Sequence, residues 1–410
     1  MTVSYTNRLA NASLFGSFWN ILFRWRGSVY KLVWIELVAF LLLYYAVNLT
    51  CRFTLTTKHT KERFYEWQKY LSSTSESIPI SFVLGFYVSL VVDRWWKQFQ
   101  LLPFPDTMAL YISAAISASR ADQKEQARLT RRTIMRYIVL AYVVTLMRIS
   151  LRAKRRFPSY QHVVDAGLML ESEKNIFEDM DNRDPMAKHW MPLVWANNII
   201  STARKQQLII SNHLVQNIMC ELADIRQRLN ALIGYDTISV PLVYTQVVTL
   251  AVYSYFITTL VGRQMLPDPP ENIENAPPNF YFPSFVVLEF VFYVGWLKVA
   301  EILLNPFGED EDDIEVNWLI DRHIKVSYMI VDEMHEEYPE LERDQHYDEV
   351  VPKKLPYTVG AGHYRRHQPK GSAESLRVRN IDASYLSTDQ GGDDRKRKKD
   401  VKPQTKTEDV

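Results

Sequence analysis

The sequence predicts an all-α integral membrane protein. Four stretches, near residues 33–51, 78–96, 238–262 and 280–304, are apolar enough to form membrane helices. Apolar residues make up 47% of the 410 residues, yet the mean hydropathy is only −0.18, so they are concentrated in segments. Aromatic residues make up 13%, a content that suits helices crossing membrane–water interfaces.

The first two predicted spans are unequal. Residues 33–51 have about the length that a bilayer core requires. In the second span, the apolar run 78–92 rises only about 22 Å as a helix, which is short for a full crossing. Asp93 and Arg94, followed by two tryptophans, indicate that this span ends at the interface.

The last two predicted spans flank a proline-rich loop. Pro241 suits the first turn of the span near 238–262. Residues 267–283 contain too many prolines to be helical. The final span carries Glu289 in its middle, a costly position for a carboxylate, and the sequence identifies no partner for it.

The region between these pairs, near residues 105–230, is predicted to be helical and cytosolic. Residues 120–156 are rich in Arg and Lys, which favours the cytosolic side of a membrane. Their apolar patch, residues 137–149, is too short to span and predicts a buried core helix. Apolar residues at three- and four-residue spacing predict one long helix over 197–230.

Three regions follow from this pattern. Residues 1–32 are an N-terminal segment, and residues 33–350 are the membrane domain, which has a second helical part outside the spans near 305–350. Residues 351–410 are polar with few large apolar side chains, so they cannot bury a core and predict a disordered tail.

An acidic string follows directly on the last predicted span. Residues 305–313 read Asn-Pro-Phe-Gly-Glu-Asp-Glu-Asp-Asp, and carboxylates at this density suit Ca²⁺, which takes about six to eight oxygen ligands. The spacing is not that of an EF-hand. The alternative is a solvated acidic cap at a helix start, which the helix dipole favours.

Ile78, Phe82 and Phe86 recur every four residues and therefore share one helical face. If several subunits met at this face, it would form an apolar ring, and such constrictions gate channels by dewetting. Aromatic ring edges carry partial positive charge, so the ring would tolerate an anion better than a cation. The alternative is ordinary packing between membrane helices.

Composition and motifs argue against other classes. The formal net charge of +1 does not favour nucleic-acid binding, and two cysteines exclude a disulfide scaffold. No phosphate-binding glycine loop, His-Glu-x-x-His or Gly-x-Ser-x-Gly string occurs, so the sequence predicts no enzyme.

Seven collinear segments resemble the bestrophin family of calcium-activated chloride channels. Together they extend over about 300 residues, and the chain after residue 350 is not covered. The segments are residues 25–31, 78–87, 94–96, 155–158, 241–246, 295–301 and the acidic string 305–313.

The resemblance implies a homopentamer around one pore, with four membrane helices per subunit and both termini in the cytosol. It implies that the protein lies in the plasma membrane as a multi-pass channel. It implies a calcium clasp in which Asp310 and Asp313 bind through their side chains. The backbone carbonyls of Ala10, Ile302 and Asn305 would complete the clasp. Glu309 lies next to these ligands and would contribute field rather than a bond.

The same resemblance implies a neck lined by Ile78, Phe82 and Phe86 and places a deeper constriction at His213. A ring of five histidines would be sensitive to pH near neutrality. The expected function is a calcium-activated anion channel that passes chloride, with bicarbonate permeability left open. The alternative is a membrane scaffold that regulates other channels.

Overall fold

The computed structural model describes residues 3–6, 18–76, 79–118, 120–265, 282–351, 355–364, 371 and 373. The chain divides into two compact units, Met1–Tyr338 and Pro339–Val410. All regular elements in the described residues are helical, as the sequence predicts.

Fourteen α-helices occur in the described residues of the first unit. They are α1 (Trp19–Leu22), α2 (Val29–Thr54), α3 (Lys58–Glu76), α4 (Ile80–Gln100), α5 (Asp106–Ala115), α6 (Lys124–Ile149), α7 (Leu151–Arg156), α8 (Tyr160–Asp165), α9 (Glu171–Arg183), α10 (Trp190–Lys205), α11 (Asn212–Thr237), α12 (Leu242–Gly262), α13 (Ser284–Leu303) and α14 (Val316–Tyr328). A 3-10 turn, Ala121–Gln123, precedes α6, and a π-helical turn, Met329–Glu333, continues α14.

Within the second unit, Val359–Tyr364 form a 3-10 helix. Most of the predicted tail, residues 351–410, lies outside the described residues, so its disorder stays a prediction.

Helices α2, α4, α12 and α13 share one apolar core. In α2 the buried residues Val33, Phe40 and Tyr44 recur at seven- and four-residue spacing, which places them on one face. Phe290 of α13 stacks on Phe40 with ring centroids 4.7 Å apart, and its centroid lies 4.8 Å from that of Phe256 of α12. Aromatic contacts thus join three of the four helices.

Gly295 allows α13 to approach α2 closely. A Cβ atom built on Gly295 would lie 2.6 Å from Cγ2 of Val29, so a larger residue would push the helices apart. Glycine at a helix crossing is a common device of membrane helix packing. The Gly295 position therefore sets the spacing between α2 and α13.

Each of the four predicted spans coincides with one of these helices. Only α2 and α12 are long and apolar enough, among the described residues, to cross a membrane by composition alone. Helix α13 carries Glu289, Lys298 and Glu301, which lower its apolarity. The proline predicted in the first turn, Pro241, is the N-cap residue of α12.

Glu289, for which the sequence identified no partner, bonds to α12 and to the residue after it. Its Oε2 atom accepts a hydrogen bond from the guanidinium of Arg263, which forms an ion pair with it. The Tyr255 hydroxyl donates to the same oxygen at 3.1 Å. A carboxylate within a candidate membrane helix is therefore neutralised by a specific partner.

Helix α6 lies at the centre of a second, larger apolar core. Ile134, Leu140, Val143 and Leu146 are fully buried although they point in different directions around the helix, so the middle of α6 is enclosed on all sides. The predicted buried helix over residues 137–149 is confirmed.

The basic residues of this region are ordered by acidic partners. Arg136 forms a two-bond pair with Glu173, at 2.6 and 2.7 Å, and both side chains are largely buried. Arg128 and Arg132 both contact Asp332 at 2.6 Å. Arginine suits such contacts because its planar fork matches a carboxylate.

The single long helix predicted over residues 197–230 is wrong. Helix α10 ends at Lys205 and α11 begins at Asn212. Between them Gln207 adopts a φ of +62°, a left-handed conformation that ends a right-handed helix. Ile209 is fully buried in the connection, so tertiary packing overrides the helical periodicity.

We expect the Glu289–Arg263 pair to show energetic coupling. Glu289→Gln and Arg263→Gln should each destabilise the protein, and the double variant should lose about 1 kcal/mol less than the sum, because each single change removes the same ion pair. Thermal unfolding of the purified protein in detergent measures this coupling. The exposed pair Asp93–Lys97, 2.7 Å apart, is the control and should show almost none. Additive losses at Glu289 and Arg263 would contradict the assignment.

Candidate functional site

The acidic string forms a compact turn between α13 and α14. The main-chain N–H of Gly308 donates to the carbonyl of Asn305 at 3.3 Å, and that of Asp313 donates to the carbonyl of Asp310 at 3.2 Å. The N–H of Ile314 closes the segment on the carbonyl of Pro306 at 2.9 Å. We call residues 305–315 the acidic turn.

Asp310 and Asp313 hold each other within the acidic turn. The N–H of Asp310 donates to Oδ2 of Asp313 at 2.7 Å. Asp313 is 1% exposed, whereas Asp310 is exposed. The pKa of Asp313 is raised to about 6, mainly by burial and in smaller part by the negative charge of Asp310. The site therefore concentrates negative charge at a cost that a bound cation would relieve.

Gly308 forms the wall next to this carboxylate. A Cβ atom built on Gly308 would lie 2.7 Å from Oδ2 of Asp313, which is closer than a Cβ atom approaches a non-bonded atom in proteins. The absence of a side chain thus leaves room for the Asp313 carboxylate inside the turn.

Three other acids of the turn have cationic partners. Glu309 pairs with Arg155 at 2.7 Å, and Glu315 pairs with Arg152 at 3.0 Å. Glu311 accepts from Lys31 Nζ and from the N–H of Gly27, both at 2.8 Å, which ties the turn to the start of α2. In the part of the chain that the structure describes, Asp310 and Asp312 form no ion pair.

The predicted calcium ligands are only partly brought together. Asn305, Asp310 and Asp313 lie in one turn, and Ile302 lies just before it in the last turn of α13. Ala10 lies outside the described residues. The described residues contain no group of three or more His, Cys, Asp or Glu side chains placed to hold a metal. The predicted calcium ligands are not a group of this kind, because they consist of two side-chain carboxylates together with backbone carbonyls.

The predicted neck residues lie on an exposed face of α4. Phe82 is 63% and Phe86 59% exposed, and their ring centroids are 4.6 Å apart in an edge-to-face arrangement. Leu84 and Val91 on the other side of the helix are fully buried. Ile78 lies outside the described residues. The chain thus presents a pair of aromatic rings that its own core does not use.

His213 lies in the first turn of α11 and is exposed, as is Cys220 two turns later. Nothing in the single chain assigns a role to either residue.

Comparison with known proteins places this geometry in a family. The bestrophin family model, described as "Bestrophin, RFP-TM, chloride channel", matches residues 1–333. The chain belongs to the bestrophin family. It is 44% identical over 364 residues to human Bestrophin-3, covering 89% of this chain and 53% of that protein. It is 42% identical over 394 residues to human Bestrophin-1, covering 96% of this chain and 66% of that protein.

The chain thus spans about half to two-thirds of the length of these two bestrophins. Among solved structures, a bacterial bestrophin homologue from Klebsiella pneumoniae has a TM-score of 0.54 and 18% identity, covering 75% of this chain and 100% of that chain. At this identity the likeness shows the fold, which is the all-helical bestrophin fold that the sequence predicts.

The contact that sequence reasoning missed is the one made by Glu311. Its partners Gly27 and Lys31 lie 284 and 280 residues away along the chain. Val3 adds a main-chain bond, since its N–H donates to the carbonyl of Glu311 at 3.0 Å. The basic residues before the first span were the available signal, but charge alone does not identify a partner.

We expect Gly308→Ala to weaken the calcium binding that the sequence predicts for the acidic turn about tenfold or more. The added methyl group would displace the Asp313 carboxylate from its position, and misplacing a ligand by a few tenths of an ångström costs a charge-assisted bond. Isothermal titration calorimetry on detergent-purified protein measures the affinity. Gly234→Ala is the control, because a Cβ atom there meets nothing within 4 Å. Equal affinities for Gly308→Ala and the wild-type protein would show that the turn does not need this space.

Proposed function

We propose that the chain is a subunit of a calcium-activated anion channel. Five copies surround one pore, chloride is the main permeant ion, and bicarbonate is a candidate second one. The channel crosses the plasma membrane several times, with both termini in the cytosol. Membership of a family described as chloride channels supports this proposal. The observation that carries it is the acidic turn, which follows α13 directly and encloses the Asp313 carboxylate.

In this proposal the α4 helices line the narrowest part of the pore. Phe82 and Phe86 from each copy, with Ile78, form an apolar ring that water and ions leave when it is narrow. Ring edges carry partial positive charge, so an anion passes them more easily than a cation. The exposure of both rings in the single chain supports a role outside its own core.

Calcium would supply two positive charges, which would offset the negative charges of the Asp310 and Asp313 carboxylates. The exposed Asp310 and the buried Asp313 would hold the ion through their side chains, and the carbonyls of Ala10, Ile302 and Asn305 would complete the clasp. Glu309 remains paired with Arg155 and contributes field. Because Glu311 ties the turn to α2, ordering of the turn reaches the membrane helices.

His213 forms the second constriction in this proposal. Its exposure at the start of α11 leaves the imidazole accessible to an aqueous pathway. A ring of five imidazoles would favour anions when protonated.

Reconstitution in planar bilayers tests the function. Purified protein is recorded under a chloride gradient with and without micromolar calcium. Calcium-dependent current that reverses near the chloride potential is the expected result. Silence at every calcium level, from protein that elutes as a folded pentamer, would favour the scaffold function instead.

We expect Asp310→Ala to abolish the calcium dependence of this current, because the variant loses one of the two carboxylates that bind the ion. The same bilayer recording measures it. Asp179→Ala, which removes an exposed acid of α9 paired with Arg183, is the control and should behave like the wild-type protein. Normal calcium activation of Asp310→Ala would overturn the clasp assignment.

We expect the double variant Phe82→Ala/Phe86→Ala to conduct without calcium. Removing both rings widens the apolar ring enough for water to remain in it. The measurement is current in a calcium chelator. A matched control is Phe285→Ala/Phe292→Ala, which removes two exposed phenylalanines from α13. If the α4 double variant stayed closed at zero calcium, the neck would not be the gate.

A further inference from the structure

Arg152 makes contacts that the proposed function does not use. It is the second residue of α7, and its side chain is only 14% exposed. Its Nη2 atom donates to the main-chain carbonyl of Asp310 at 2.6 Å, while Nη1 donates to Oε2 of Glu315 at 3.0 Å. One guanidinium therefore bridges the middle of the acidic turn and the residue that precedes α14.

This bridge fixes the backbone of Asp310 from both sides. The N–H of Asp310 is held by the carboxylate of Asp313, and its carbonyl is held by Arg152. With both main-chain groups bonded, the direction of the Asp310 Cα–Cβ bond is set before any ligand arrives. Such preorganisation raises affinity because less conformational entropy is lost on binding.

A neighbouring contact anchors the same turn to the larger apolar core. The hydroxyl of Ser150, a buried residue between α6 and α7, donates to the carbonyl of Phe307 at 2.9 Å. Phe307 itself is buried in the larger apolar core. Two residues of one short segment thus hold the turn: Ser150 binds the carbonyl of Phe307, and Arg152 binds the carbonyl of Asp310.

We propose that Arg152 is a positioning residue for the calcium site and sets its affinity by holding the Asp310 backbone. The proposal rests on the calcium site of the proposed function. This positioning effect of Arg152 opposes the effect of its positive charge, because a cation beside a calcium site repels the ion and lowers the affinity. Geometry and charge therefore predict opposite changes when Arg152 is replaced.

Arg152→Gln and Arg152→Lys separate the two effects. A glutamine removes the charge, and a lysine keeps the charge but cannot reproduce the two-pronged bridge. If positioning dominates, both variants bind calcium about tenfold more weakly, which is the effect of one lost charge-assisted hydrogen bond. If charge dominates, Arg152→Gln binds more tightly and Arg152→Lys binds like the wild-type protein.

Isothermal titration of calcium into the purified full chain measures these affinities, and thermal unfolding in a chelator checks the fold. Arg156→Gln is the matched control: it removes the same charge from α7, but its partner Asp321 lies in α14 and not in the acidic turn, so affinity should change by less than about twofold. Affinity for Arg152→Gln that equals or exceeds that of the wild-type protein, or wild-type affinity for Arg152→Lys, would overturn the proposal.

Two further results are decisive. If Arg152→Gln does not fold, Arg152→Lys carries the test, because it keeps the charge and loses the two-pronged bridge; wild-type affinity there would overturn the proposal. If the wild-type protein binds no calcium, the calcium site of the proposed function fails and this inference fails with it. If the wild-type protein binds calcium and the Arg152 variants bind it with the same affinity, this inference fails but the calcium site of the proposed function stands.

Discussion

The buried carboxylate of Asp313 is the constraint on which the acidic turn depends. A carboxylate with 1% exposure needs donors close by, and the N–H of Asp310 supplies one at 2.7 Å. That bond requires the chain to fold back within three residues, and the fold-back leaves no room for a side chain at Gly308. The burial of Asp313 therefore requires the fold-back of the backbone, and the fold-back requires glycine at position 308.

The remaining acids of the turn show how the charge is divided. Glu309, Glu311 and Glu315 each pair with an arginine or lysine from another part of the chain. These pairs do more than lower the net charge, because they join the turn to two other elements. Glu311 reaches the start of α2, whereas Glu315 and Glu309 reach α7. The turn thus connects α2 with α7.

Much of this arrangement follows from local sequence patterns. Apolar runs predict the positions of α2, α4, α12 and α13, and the acidic string predicts the position of the turn. Each of these signals consists of residues that lie close together in the sequence. The pairs Glu289–Arg263 and Glu311–Lys31 do not follow from the sequence, since any of many charges could have been the partner. The helix break at Gln207 does not follow from the sequence pattern either, because burial of Ile209 outweighs an otherwise helical pattern.

The two parts of the proposed channel differ in what a single chain supplies. The described clasp residues Asn305, Asp310 and Asp313 lie in one turn of one chain, so each subunit carries its own complete turn. In the proposal Phe82 and Phe86 differ, because they are exposed and act only when other copies face them. Calcium binding in the proposal is therefore a property of the subunit, and conduction is a property of the assembly. The connection between them has to pass through the contacts of the turn with α2, where a local change in charge can shift the Glu311–Lys31 ion pair.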